Sequence, residues 1–300
     1  MYTQKIPARS IGLQRQRGIA LLILLLILAS GGIYALLRTL NQNSLQTERD
    51  RITSDSLAAA KQALIGYAVG MNLQPNTALR PGDLPCPDGN NDGSAESSCG
   101  NASGSNQTTR LGRLPWKTLS LSLPDLRDGY GERLWYAVSN NFKLSSRHNP
   151  LNTATNGTIT VRDAYGNILH NASGTNTTGA IAVVIAPGPA IPRNGVMQVR
   201  SGAGVNSAAN YLDFTPTEDN ADFVDAGLNG FIQGNATNIN SQINNDQMIV
   251  ISKEDLMPLI IKRVEGERDN CTVPSQCRIS KTDAGGWWVI NGWQALYPVP

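Results

Sequence analysis

The chain has 300 residues, 40% of them hydrophobic and 16% charged, with 25 Lys and Arg against 23 Asp and Glu. A formal charge of only +2 leaves no basic footprint, so nucleic acid is excluded as a partner. The length and apolar content allow one sizeable domain, or two small ones, with a true core.

Lys5, Arg9, Arg15 and Arg17 precede Gly18 with no acid among them, and an uncharged apolar run follows from Ile19 to Leu37. At a 1.5 Å rise, about 19 residues just reach across a hydrocarbon core of roughly 30 Å. The expectation is a membrane-spanning helix whose basic leader stays cytoplasmic while the rest of the chain is exported. A secretory signal cut near Ala29-Ser30-Gly31 is the competing reading. Against it, the run exceeds an ordinary signal core, and no proline between Pro7 and Pro75 stops the helix.

Leader, glycine and apolar helix together resemble the class III signal of type IV pilins and type II secretion pseudopilins. The resemblance implies cutting by a prepilin peptidase between Gly18 and Ile19, N-methylation of Ile19, and retention of the helix. It also implies assembly with other pilins or pseudopilins at an inner-membrane assembly platform. Loss of the leader removes four cations and no acid, taking the formal charge from +2 to −2. One position departs from the pattern: Ile23 stands fifth in the mature chain, where major pilins usually carry Glu. A carboxylate in lipid needs a partner, so its absence implies a minor or tip-type subunit with no neighbour ahead of it.

The expected organisation is a leader at 1–18, a transmembrane and assembly helix at 19–70, and a periplasmic β-rich head at 71–300. The fold class is α+β: a long N-terminal helix, its first half in the membrane, packed on an antiparallel β-sheet head. Gly31-Gly32 costs about 2 kcal/mol of helix propensity and is the expected weak point. Further on, Leu57, Leu64, Ile65 and Ala68 share one side while Glu48, Arg49, Asp50, Arg51 and Asp55 mark a wet stretch, so the second half should pack on the head.

Gln74-Pro75 should end the helix, and a loop follows to Arg110. Within it Asp88, Asn90 and Asp92 alternate before Gly93 in the manner of the first half of a calcium loop, with Glu96 as a further oxygen ligand. Cys99 stands where the closing Glu should be, so a disulfide-stapled turn without metal is the alternative. Cys86 with Cys99, and Cys271 with Cys277, read as disulfides of an exported chain rather than zinc ligands. No other cofactor is expected.

Arg127-Asp-Gly-Tyr-Gly131-Glu-Arg-Leu134 recurs as Arg162-Asp-Ala-Tyr-Gly166-Asn-Ile-Leu169, each copy reading as a hairpin or strand entry. The first copy also resembles the segment that opens the sheet of major pseudopilins, with Asp128, Gly131 and Tyr136 in the corresponding places. Strands are expected at Leu134–Val138, centrally at Ala180–Ala186 with Val196–Val199 beside it, and at Gln247–Ile251. A long excursion covers 201–246. Ser252 and Asp255 then signal a helix to Val264 that Pro258 should delay or kink. Asn291-Gly292 between apolar runs reads as a closing hairpin whose tryptophans serve the core.

No nucleophile with its base, paired-His metal motif or phosphate-cradling loop occurs, so an enzyme is not expected. The predicted function is a minor pilin-like or pseudopilin-like subunit of a type IV pilus or type II secretion system, single-pass in the bacterial inner membrane. The alternative is a membrane-anchored periplasmic module that binds glycan or protein through 201–246.

Overall fold

The computed structural model describes residues 16–72, 80–100, 110–121, 126–144, 150–174, 177–193, 195–214, 219–222, 230–234, 236–237, 243–272, 277–279 and 286–298. The chain divides into two compact units, Met1–Glu48 and Arg49–Pro300. Helix α1 is Gln16–Gly70, and the Gly31-Gly32 pair is helical.

The membrane-spanning first half is corrected. In the first unit the apolar stretch with described side chains is Leu21–Tyr34. Among the described residues no helix is long and apolar enough to cross a membrane. The single-pass inner-membrane placement falls with that element, and the fold is α+β without it.

In the second unit the helical period sets the packing. Thr53, Ser56, Leu57, Ala60, Leu64, Ile65 and Ala68 form one buried stripe, while Arg51 and Asp55 pair on the wet side at 2.8 Å. Burying each leucine of the stripe stabilises the fold by about 1.5–3 kcal/mol relative to leaving it in water. Lys61 Nζ ties the helix to the far end of the chain, donating to the Val250 carbonyl at 2.9 Å and pairing with Asp255 at 2.8 Å.

The stripe packs on an antiparallel sheet of β1 (Leu111–Arg113), β2 (Trp135–Val138), β5 (Ala182–Ala186) and β11 (Gln247–Ile251), in the order β1-β2-β5-β11. The two-residue period of β2 and β5 feeds two cores. Tyr136, Val138, Ala182, Val184 and Ala186 join the α1 stripe, whereas Trp135, Ala137, Val183 and Ile185 pack with Ile159, Val161, Tyr211 and Phe231 on the other face. β5 is therefore buried at every position, as its unbroken apolar run requires.

The second face is covered by a three-stranded sheet in the order β4-β3-β8, with β3 at Val161–Asp163, β4 at Ile168–His170 and β8 at Phe231–Gln233. β3 and β8 run parallel, so the head is not purely antiparallel. Val196 is corrected as well: β7 (Val196–Met197) pairs with β6 (Pro192–Arg193) and not with β5. β9 (Ala236–Thr237) and β10 (Ile243–Asn244) form a separate ribbon.

Helix α2 (Lys253–Asn270) starts on a capping box, with Asp255 N–H donating to Ser252 Oγ and Ser252 N–H to Asp255 Oδ2. It begins at its cap despite Pro258 and runs past the expected stop at Val264. The proline is exposed near the start of the helix, where it costs one backbone bond on the wet side. The expected closing hairpin is instead two short helices, α3 (Trp287–Ile290) and α4 (Trp293–Leu296), joined by Asn291 and Gly292 at φ +73°. Left-handed glycine serves a helix end as readily as a hairpin turn, so Asn-Gly alone does not choose between them. Asn291 is buried: its Oδ1 accepts from Arg80 and from Leu151 N–H, and its side-chain amide donates to the Trp287 carbonyl. Trp287, Trp288 and Trp293 are core residues.

Candidate functional site

Gly18 and Ile19 lie in α1, and Ile19 is exposed. The apolar side chains after it form no stripe. Ile19 and Leu21 through Leu28 are 54–65% exposed, and Ile33 and Tyr34 also face outward. A helix that is apolar on all sides has no wet face to offer water and is found covered. An uncovered apolar surface of this extent marks an interaction site.

The four expected calcium ligands do come together in one loop, but they spend their oxygens on its own backbone. Asp88 Oδ1 accepts from Asn91 and Asp92 N–H at 2.6 and 3.2 Å, and its Oδ2 accepts from Gly93 N–H at 2.7 Å. Asn90 Oδ1 accepts from Asp92 N–H at 2.9 Å, Asp92 Oδ1 from Ser94 N–H at 2.7 Å, and Glu96 Oε1 from Gly89 N–H at 3.2 Å. The Ser94 N–H bond holds the Asp92 carboxyl below its ordinary range. Gly93, at φ +89°, leaves no room for a Cβ against the Trp116 ring. Two cations complete the loop from within the chain: Lys117 Nζ donates to the Asp92 carbonyl, and Arg133 donates to the Asn91 carbonyl at 3.0 Å. Among the described residues no group of three or more His, Cys, Asp or Glu is placed to hold a metal. The donor set fits a self-closed turn better than a calcium cage.

Cys86–Cys99 and Cys271–Cys277 are both disulfides. The first staples the chain on either side of this loop.

The repeated motif folds twice into one turn. In the first copy Gly131 N–H donates to the Asp128 carbonyl, Asp128 Oδ1 accepts from Tyr130 and Glu132 N–H, and the Arg127 guanidinium donates to the Gly131 carbonyl. In the second, Gly166, Asp163, Tyr165, Asn167 and Arg162 repeat every one of these bonds. Gly131 and Gly166 sit at φ +83° and +86°.

Two arrangements had no signal in the sequence. Arg113 and Trp135 are cross-strand partners of β1 and β2, but β1 is three residues long and lies between loop segments. Asp246, fully buried, accepts from Asp213 N–H and the Asn220 amide through Oδ2, while its Oδ1 has no partner among the described residues. Burial pushes Asp246 well above the carboxylate range and raises Asp213 to about 6, against bonds from Asn245 N–H and Gln198 and the charges of Arg200 and Arg193. This acid pair ties Asp213 and Asn220 to the start of β11.

Comparison with protein-family models, with curated proteins and with solved structures finds no match to this chain.

Proposed function

We propose that the protein is a minor pilin-like or pseudopilin-like subunit of a type IV pilus or type II secretion system, joined to other subunits through the apolar part of α1. The observation that carries this reading is the helix from Ile19 to Tyr34, whose large apolar side chains are exposed on every side and require a partner to cover them. Helices of neighbouring subunits supply such a cover when they bundle in a filament core. The basic leader ending at Gly18 supports processing by a prepilin peptidase, which would leave Ile19 as the methylated N-terminus. The two disulfides support maturation in an oxidising compartment.

With Ile23 in place of Glu the subunit has no carboxylate to offer the amine of a subunit ahead of it, which favours an initiating or capping position. Mass spectrometry of the mature N-terminus tests the reading. The expected product starts at methylated Ile19 and accumulates unprocessed when Gly18 is replaced by a bulky residue. A mature chain that begins beyond Ser30 would overturn it.

A further inference from the structure

Behind the loop at Asp88 lies a cavity of about 270 Å³, walled by Asp88, Gly112, Arg113, Trp135, Asn206 and Ala209, among others. Arg113 is 4% exposed. Its guanidinium carbon lies 4.3 Å from the Trp135 ring centroid and 3.9 Å from that of Tyr211, a cation set against two neighbouring aromatic rings whose own centroids are 5.5 Å apart. Two of its N–H groups donate to the carbonyls of Arg133 at 2.9 Å and Val205 at 3.3 Å, while Nε has no partner among the described residues. Among the described residues the Trp135 indole N–H on the same wall is also unpartnered.

Among the described residues no carboxylate makes an ion pair with Arg113, although the Glu132 charge acts on it. Glu132 pairs with Arg200 at 3.3 Å, and the Asp88 oxygens accept from three backbone N–H groups of their own loop. Burial lowers Arg113 to about 10, so it still carries its charge at neutral pH. A buried guanidinium that donates to carbonyls, and whose neighbouring Glu132 charge is already paired with Arg200, is costly, and an anion entering beside it would recover part of that cost.

We propose that this cavity binds the carboxylate of a small ligand, with Arg113 as its counter-ion. A guanidinium fork matches a planar carboxylate. Asp88 on the same wall argues against a dianion such as phosphate, because one negative charge is already present. A cavity of this size suits an acidic monosaccharide or the end of a short peptide. The proposal does not rest on assembly through α1, and the two can fail separately.

The test is thermal unfolding and tryptophan fluorescence of the full chain at fixed ionic strength, titrated with sodium D-glucuronate, N-acetylglycine, their neutral methyl esters and inorganic phosphate. At least one acid is expected to raise the melting temperature saturably, with its ester and phosphate at least about tenfold weaker. A stronger response to glucuronate identifies a sugar acid, and a stronger one to N-acetylglycine a peptide terminus. Arg113→Gln is expected to remove the response. Should that variant not fold, Ala209→Leu, which adds bulk to the cavity wall and keeps Arg113, is expected to do the same. Equal responses to acid and ester, an Ala209→Leu protein that responds like the native one, or no saturable response to either acid up to roughly 20 mM would overturn the proposal.

Discussion

The turns at 127–134 and 162–169 have the same local sequence pattern and the same internal hydrogen bonds, yet they live in different solvents. In the first, Asp128 is 3% exposed and its second oxygen accepts from Gly188 N–H at 2.9 Å, while the Arg49 guanidinium lies 4.8 Å from the Tyr130 ring centroid. In the second, Tyr165 is 92% exposed, and Ile168 and Leu169 are about half exposed. One difference in the motif bears directly on the docking of the first copy. Gly129 N–H donates to Thr53 Oγ1 at 2.9 Å, and a Cβ at Gly129 would overlap the Arg49 backbone; the second copy has Ala164 in that place. The pair shows that a turn's shape is written locally, whereas the close approach of the first copy to the Arg49 backbone requires that position 129 carry no Cβ.

Gly129→Ala should give the largest effect. The helix backbone or the turn must move, and a loss of about 2–4 kcal/mol is expected in denaturant melts, against less than about 1 kcal/mol for Ala164→Gly. If both cost the same, close docking is not what separates the two copies. Gly131→Ala and Gly166→Ala, both in left-handed backbone, serve as matched controls with similar costs of about 1–2 kcal/mol.

The aspartates sharpen the contrast. Asp128→Ala leaves the N–H groups of Tyr130, Glu132 and Gly188 unpaired in a buried site, and should cost about 2–3 kcal/mol, whereas Asp163→Ala, near solvent, should cost little. Their pH effects have opposite sign. Burial raises the folded Asp128 above its ordinary value, so its contribution to stability grows as pH falls through the folded pKa toward about 4. The Asn167 side chain lowers Asp163, whose contribution is present above about 4 and lost as pH falls through its lower folded value. Melts between pH 7 and 3 of the two variants should therefore depart from the native curve in opposite directions. The smallest effect belongs to the tyrosines: Tyr130→Ala should lose about 1 kcal/mol with its cation–π contact and packing, and Tyr165→Ala should be indistinguishable from the native protein in the same melts.

Much of the sheet was legible because its signals are local. The apolar run at 180–186 could only be an interior strand, and the Ser252–Asp255 cap carries its own mechanism. The four cysteines paired as their spacing suggested. What sequence reading missed depends on distant partners. The parallel β3–β8 pairing joins segments with weak periodicity, and Arg113 acquires meaning only when register sets it opposite Trp135. The pattern Asp88, Asn90, Asp92 and Gly93 is shared by metal loops and self-closed turns, and the structure shows the Asp88 oxygens accepting from backbone N–H groups of the loop. Residues 73–79, which contain the expected helix stop at Gln74-Pro75, and Phe223 in the excursion lie outside the described residues.

The bond from Lys61 to the Val250 carbonyl spans 189 positions, and β5 acquires its second neighbour only when β11 arrives. Contacts so distant in sequence make folding slow and place its decisive step late. While synthesis proceeds, the earlier segments lack the strand that closes both cores. The polypeptide thus stays threadable until its final third has been made, and a prematurely terminated product is left with β5 as an open, sticky edge for proteases to find.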